Sequence, residues 1–221
     1  MAQELIDGRR ARGDETRRVV LSHALDLASV EGLDGLSIGR LAEASGQSKS
    51  GVATLFGSKQ GLQLSVIDAA QAVFTREVID AVRERTPRGL DRVVALVTGW
   101  IDYSRGRIFA GGCFFSAASA EFDSKPGPVR DAVMAALDTW ESYLAASLAH
   151  AAPELPDMTD PAQVAFEVTS VLAAANTRSL LHDSDEPYAR AARAVRDRLR
   201  GLGADEAKLA PLTEQADAAR R

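Results

Sequence analysis

Apolar residues recur at three- and four-residue spacing through almost the whole chain, and the alternation that marks strands is nearly absent. The chain is therefore expected to be all-α. Val20, Leu21, Ala24, Leu27 and Ala28 put one apolar face on a first helix that starts near Asp14 or Glu15 and stops at Gly32. After a connection over 33–36, Ser37 reads as the N-cap of a short helix over 38–44. Ser45-Gly46-Gln47 makes a tight turn, Ser48 caps a second short helix ending near Phe56, and Ser58 caps a long helix over 59–85. Thr86-Pro87-Arg88-Gly89 breaks the pattern. More apolar helices follow over 90–105, 113–122, 129–151, 162–181 and 188–202. Residues 203–221 are polar and Ala-rich and read as a frayed or disordered tail.

Composition narrows the classes further. The 221 residues are 46% hydrophobic and 26% charged, enough apolar material for a sizeable core and too much for wholesale disorder. A single cysteine, Cys113, leaves no disulfide framework and no paired-cysteine zinc or redox motif. The longest uncharged stretch, 108–120, has 13 residues, short of the roughly 20 that span a bilayer. Residues 1–12 hold no apolar signal region, so a cytoplasmic location is expected. The net charge is −5, yet residues 1–62 carry eight Lys or Arg against eight Asp or Glu. The negative excess lies wholly beyond residue 62, which leaves the N-terminal part free to approach phosphate. Three histidines far apart in sequence give no metal spacing, and no metal or other cofactor is expected.

A supporting helix followed by two short helices across a Gly-containing turn has the spacing of a helix-turn-helix. Such a unit lays the N-terminal half of its last helix in a major groove. Here that helix carries Lys49, Ser50, Gly51, Ala53 and Thr54 outward, small, polar or cationic, while Val52 and Phe56 anchor it inward. Lys49 and Lys59 stand near its two ends, each placed to meet phosphate, and its N-terminus favours phosphate through its dipole. Spacing alone leaves an ordinary helical hairpin open.

The run from Leu36-Ser37-Ile38-Gly39-Arg40-Leu41-Ala42-Glu43 through Ala44-Ser45-Gly46-Gln47-Ser48-Lys49-Ser50-Gly51, then Phe56-Gly57-Ser58-Lys59-Gln60-Gly61-Leu62, resembles the TetR family of transcriptional regulators. The likeness covers about 16–66 at motif level. Gly111-Gly112-Cys113-Phe114-Phe115, Ala120-Glu121-Phe122 and Pro126-Gly127-Pro128 resemble one subgroup of that family's ligand-binding domains. The resemblance implies an all-helical homodimer that binds a palindromic operator through its N-terminal domains and is released by a small effector held in its C-terminal domain. On it, Ser37 is a capping residue that also reaches phosphate, Ser48, Lys49, Ser50 and Gly51 open the recognition helix, and Lys59 contacts phosphate. Three positions depart from the family pattern: Gly39 in place of arginine, Ala53 in place of an aromatic residue, and Leu55 in place of histidine. Arg40, or a basic arm carrying Arg9, Arg10 and Arg12, is the expected replacement.

Two catalytic readings compete and lose. Gly35-Leu36-Ser37-Ile38-Gly39 matches the G-x-S-x-G elbow of serine hydrolases, which needs a strand before it; a helix and a turn precede it here, so Ser37 is read as a cap. Cys113 sits among apolar neighbours with Arg107 six positions away, the setting of a buried structural cysteine rather than a reactive thiol.

The expected architecture is a flexible basic arm (1–13), a helix-turn-helix DNA-binding domain (14–62), a helical effector-binding and dimerisation domain (63–202) and the tail. Expected DNA contacts are Ser37, Arg40, Ser48, Lys49, Ser50, Gly51, Ala53, Thr54 and Lys59. Expected effector-pocket residues are Trp100, Tyr103, Phe114, Phe115, Glu121, Trp140, Tyr143, Asn176 and Arg178. The dimer seam is placed on Val164, Val168, Val171, Leu172, Ala175, Ala192, Val195 and Leu199, with packing wholly within one chain as the alternative. The expected function is a DNA-binding regulator, a repressor released by a small, largely apolar effector, with no enzyme activity. The alternatives are a helical protein-interaction module without DNA affinity and, further off, a hydrolase using Ser37.

Overall fold

The structure, a computed structural model, describes residues 2–218, without the side chains of 2–12, Asp14 and Ala218. The role expected of Arg9, Arg10 and Arg12 therefore lies outside the described residues, as does that of 219–221. Among the described residues there is no strand. The head comprises α1 (Ala2–Glu31), α2 (Ile38–Ser45) and α3 (Lys49–Phe56). A rod then runs from α4 (Lys59–Phe74) through a π-helical stretch (Thr75–Asp80) into α5 (Ala81–Arg85). The body is built from α6 (Leu90–Arg105), α7 (Phe114–Phe122), α8 (Pro128–His150), α9 (Pro161–His182), α10 (Glu186–Arg200) and α11 (Ala210–Ala218).

Local chemistry sets the head's joints. Ser37, Ser48 and Ser58 each cap the following helix, accepting from the amides of Arg40 (3.3 Å), Gly51 (3.0 Å) and Gly61 (3.0 Å). Gly46 ends α2 in the left-handed conformation at φ 67°, which a side chain would resist. Val20, Ala24, Leu33, Leu41, Val52, Leu62 and Val66 close the head's core, all 1% exposed or less. The body's core is continuous with it, because α4 belongs to both.

Three expectations are corrected. α1 begins at Ala2, so the segment 1–13 is not a loose arm from its second residue on; the Ala, Leu, Glu and Arg residues there favour helix strongly enough to carry Gly8 and Gly13. Over its described residues the tail is folded: Leu209, Leu212 and Ala216 are buried against α6 and α10, and Lys208 bridges Glu154 and Asp91 at 2.5 and 3.2 Å. Its apolar residues recur at three- to four-residue spacing, a stripe hidden by polar neighbours. The seam residues fare differently. Val164, Val168, Leu172, Ala175, Ala192, Val195 and Leu199 are at most 4% exposed within the single chain, where α9 packs on α8 and α10. Apart from Ala175, which borders the α9–α10 groove, they pack inside the chain itself. Val171 is partly open in that groove.

Candidate nucleic-acid interface and ligand cavity

α3 stands on the head with one face sealed and one bare. Val52 and Phe56 are buried, while Ser48, Lys49, Ser50, Gly51, Ala53 and Thr54 are exposed. The bare face borders an open concavity shared with Gly13 and Thr16 of α1 and lined by Ser48, Ser50, Gly51, Thr54 and Leu55. Ser48 and Ser50 share a hydrogen bond of 3.3 Å, and the Thr54 hydroxyl donates to the Ser50 carbonyl at 2.8 Å. Gly39 matters here. A Cβ on it would lie 3.6 Å from the Lys49 side chain, an ordinary contact, so Lys49 lies over the start of α2. Small caps, the N-terminus of α3 and a lysine thus gather on one surface, which suits phosphate.

The other two expected cations are engaged. Arg40 pairs through both guanidinium nitrogens with the Glu31 carboxylate, an ion pair that lowers the Glu31 pKa and raises that of Arg40. It is exposed, and such pairs are weak enough to exchange for phosphate. Lys59 donates to the Asp34 carbonyl at 2.7 Å. Asp34 also accepts from Lys125 at 2.7 Å and from Gln63 at 3.1 Å, and the Lys125 ammonium holds its carboxyl below the usual carboxylate range. Sequence reasoning missed Arg17. Its guanidinium donates to the Leu55 carbonyl and Ser65 hydroxyl, both at 2.8 Å, and stacks over the Phe56 ring at 4.9 Å. It ties α1 to the end of α3, and the only sequence signal was an arginine on the inner side of an amphipathic helix.

The body holds an aromatic cluster centred on Phe74, which meets Trp140, Tyr103 and Phe115 edge-on with centroids 5.2, 5.5 and 6.4 Å away. Beside it lies a cavity of about 70 Å³ walled by the rod, by Trp100 and Cys113, by Phe115 and Ser116 of α7, by Leu137 and Trp140 of α8, and by Thr169 and Ala173 of α9. The π-helical stretch contributes Thr75 and Ile79; such stretches recur at functional sites. Of the expected pocket residues, Trp100, Phe115 and Trp140 line this cavity. Tyr103 and Phe114 are packed in the cluster behind it. Tyr143 is half-buried outside the lining. Asn176, 2% exposed, accepts from the Ser104 hydroxyl at 2.8 Å and the Cys113 amide at 2.9 Å. Arg178 faces the α9–α10 groove. Glu121 reaches the head instead, accepting from the Leu33 and Asp34 amides. Asn176, Arg178 and Glu121 were each read by type, and type does not say which wall a residue faces. Cys113 is buried and its thiol pKa is raised by desolvation. Ser37 serves as a cap in a helix–turn–helix setting. No described helix is long and apolar enough to cross a membrane.

A bare helix on a three-helix head, joined by a shared rod to a larger helical body with a cavity under that rod, defines a two-domain helix-turn-helix protein. Residues 89–195 match the family model of the tetracyclin repressor-like C-terminal domain. Over that stretch the chain belongs with the tetracyclin repressor-like C-terminal domains of TetR-family regulators. Solved structures share the fold. A TetR transcriptional regulator from Chloroflexus aurantiacus is 22% identical with a TM-score of 0.74, over 87% of this chain and 94% of that one. A TetR-family regulator from Streptomyces coelicolor is 22% identical with a TM-score of 0.66, over 91% and 97%. AibR, determined in complex with isovaleryl coenzyme A and operator DNA, is 19% identical with a TM-score of 0.59, over 73% and 85%. No curated protein matches the chain by sequence.

Proposed function

We propose that this chain is a repressor that binds a palindromic operator as a homodimer and is released when a small, uncharged, largely apolar effector enters the cavity beneath α4. The bare face of α3 carries the proposal: Ser48, Lys49, Ser50, Gly51, Ala53 and Thr54 are all exposed on a helix whose other face is sealed, so none of them is needed by the core. The effector's class follows from the walls. Apart from the buried Cys113, no ionisable side chain lines the cavity, and a charge moved there would be left unpaired at a cost of several kcal/mol, on the order of 1–3 even for a neutral unpaired group. An acidic coenzyme thioester, as held by AibR, does not suit these walls. The cavity is also smaller than the roughly 300 Å³ of an ordinary ligand site, so entry has to part the rod from α7 and α8. That movement is what would reset the heads. The α9–α10 groove, about 470 Å³ and floored by Val171, Ala174, Ala175, Ala191 and Ala194, is where small residues permit a second copy to pack closely.

The test is fluorescence anisotropy on duplexes selected from a random library by the wild-type chain. Lys49→Ala and Lys59→Ala should weaken binding to every sequence and flatten the log–log salt dependence by about one each. An unchanged slope in both variants removes them from the interface. Thr54→Ala should change the preference among bases; uniform weakening would make it a positioning contact. Because Trp100 and Trp140 line the cavity, effector entry should quench tryptophan fluorescence as operator is released. A chain that selects no duplex is a helical interaction module.

A further inference from the structure

α7 touches the cavity with its first turn and the head with its last. Phe115 and Ser116 are cavity wall. Six residues on from Phe115, the Glu121 carboxylate receives two backbone amides of the α1–α2 connection, Leu33 at 2.7 Å and Asp34 at 2.8 Å. The approach is close: Gly32 has φ +82°, and a Cβ there would lie 2.7–2.9 Å from that carboxylate. The same connection carries the carbonyl and carboxylate of Asp34 that hold Lys59 and Gln63. At its other end, α7 is anchored to α9 by the Cys113 amide on Asn176.

Resting on the reading that the head binds DNA and the cavity takes an effector, we infer that α7 carries cavity occupancy to the head, with Glu121 as the positioning residue at its end. A short hydrogen-bonded helix moves as a unit, so displacing Phe115 displaces Glu121. Two amides on one carboxylate make a charge-assisted grip, so the α1–α2 connection follows, and Lys59 with it. Glu121→Gln keeps the side-chain length but replaces one acceptor by an N–H₂ group that faces an amide, which breaks half the grip without opening a cavity.

The experiment needs no identified effector. Ala173 lines the cavity from α9, so Ala173→Phe places a phenyl ring where an effector would sit, with Ala173→Leu as the milder form if the first does not fold. Operator affinity is measured for wild type, A173F, E121Q and the double variant on a duplex selected by the wild-type chain. Allosteric couplings are commonly about 5- to 150-fold, so A173F should weaken operator binding by about tenfold with Glu121 present and by less than about threefold in the E121Q background. An equal loss in both backgrounds overturns the inference. Hydrogen exchange of peptides over 30–36 gives a DNA-free readout. A173F should speed it only when Glu121 is present, and E121Q alone should speed it; unchanged exchange in A173F overturns the inference. If the wild-type chain selects no duplex, the operator reading falls, and the exchange data alone decide the role of α7.

Discussion

Gly111→Ala will loosen the head from the body more than any other single methyl addition in the loop before α7. The Gly111 amide donates to the Ser29 hydroxyl at 3.0 Å, and Ser29 is itself buried at the inner side of α1. A Cβ on residue 111 would lie 1.8 Å from the Ser29 carbonyl oxygen and 2.4 Å from its carbon. Both are backbone atoms, so no rotamer change relieves the clash. The loop has to withdraw from α1, and its hydrogen bond goes with it. Overpacking typically costs about 1–3 kcal/mol and a lost hydrogen bond about 1 more, so urea titration should show a loss of about 3 kcal/mol. Gly46→Ala is the contrast. That glycine has a left-handed φ but open space around it, so only the backbone cost of about 1 kcal/mol applies. Equal losses for the two variants would mean that the loop does not press on α1.

The head was legible because its signals are local. A serine before each short helix, Gly46 and Gly57 after them, and two inward anchors on α3 are all read within a few residues, and the structure places them as caps, turns and core. The long helix over 59–85 was legible in span but not in register. The π-helical stretch at Thr75–Asp80 leaves no periodicity signal, because one extra residue in a turn shifts the apolar stripe by less than the stripe's own width.

The body was legible only to the level of which residues face inward. Val164, Val168 and Leu172 carry the periodicity of a buried face, but the pattern is identical whether that face meets α10 of the same chain or another molecule. Of the exposed positions of α9, Phe166 lies between those residues in sequence and Ala174 and Leu181 follow them, and all three looked like ordinary surface. The pocket failed in the same way. Phe114 and Phe115 are neighbours of equal type, yet only Phe115 reaches the cavity, since successive residues of a helix point about 100° apart. Glu121 and Lys125 meet residues 33 and 34 from 88 and 91 positions away, and no local rule anticipates that.

Those exposed positions of α9 carry the remaining large effect. Ala174 is exposed in the single chain and sits in the α9–α10 groove, so a longer side chain there points to water and leaves the fold of one chain intact. In the proposed homodimer the same position is enclosed by the second copy. Ala174→Glu would then bury one unpaired carboxylate per chain, two in a symmetric seam, each costing on the order of 3–5 kcal/mol when nothing compensates it. Even one such charge weakens association by more than about a hundredfold, at about 1.4 kcal/mol per decade. Light scattering at micromolar concentration should therefore give a single-chain mass for A174E and twice that for the wild-type chain, with the same helical circular dichroism. Val171→Glu is the weaker test, because Val171 also packs on the core and its loss mixes folding with association. Operator affinity is expected to fall with the dimer, since one head reaches only half of a palindrome. If A174E remains a dimer, the seam does not use this groove. If it is monomeric yet binds operator as tightly as the wild-type chain, the second copy contributes nothing to recognition.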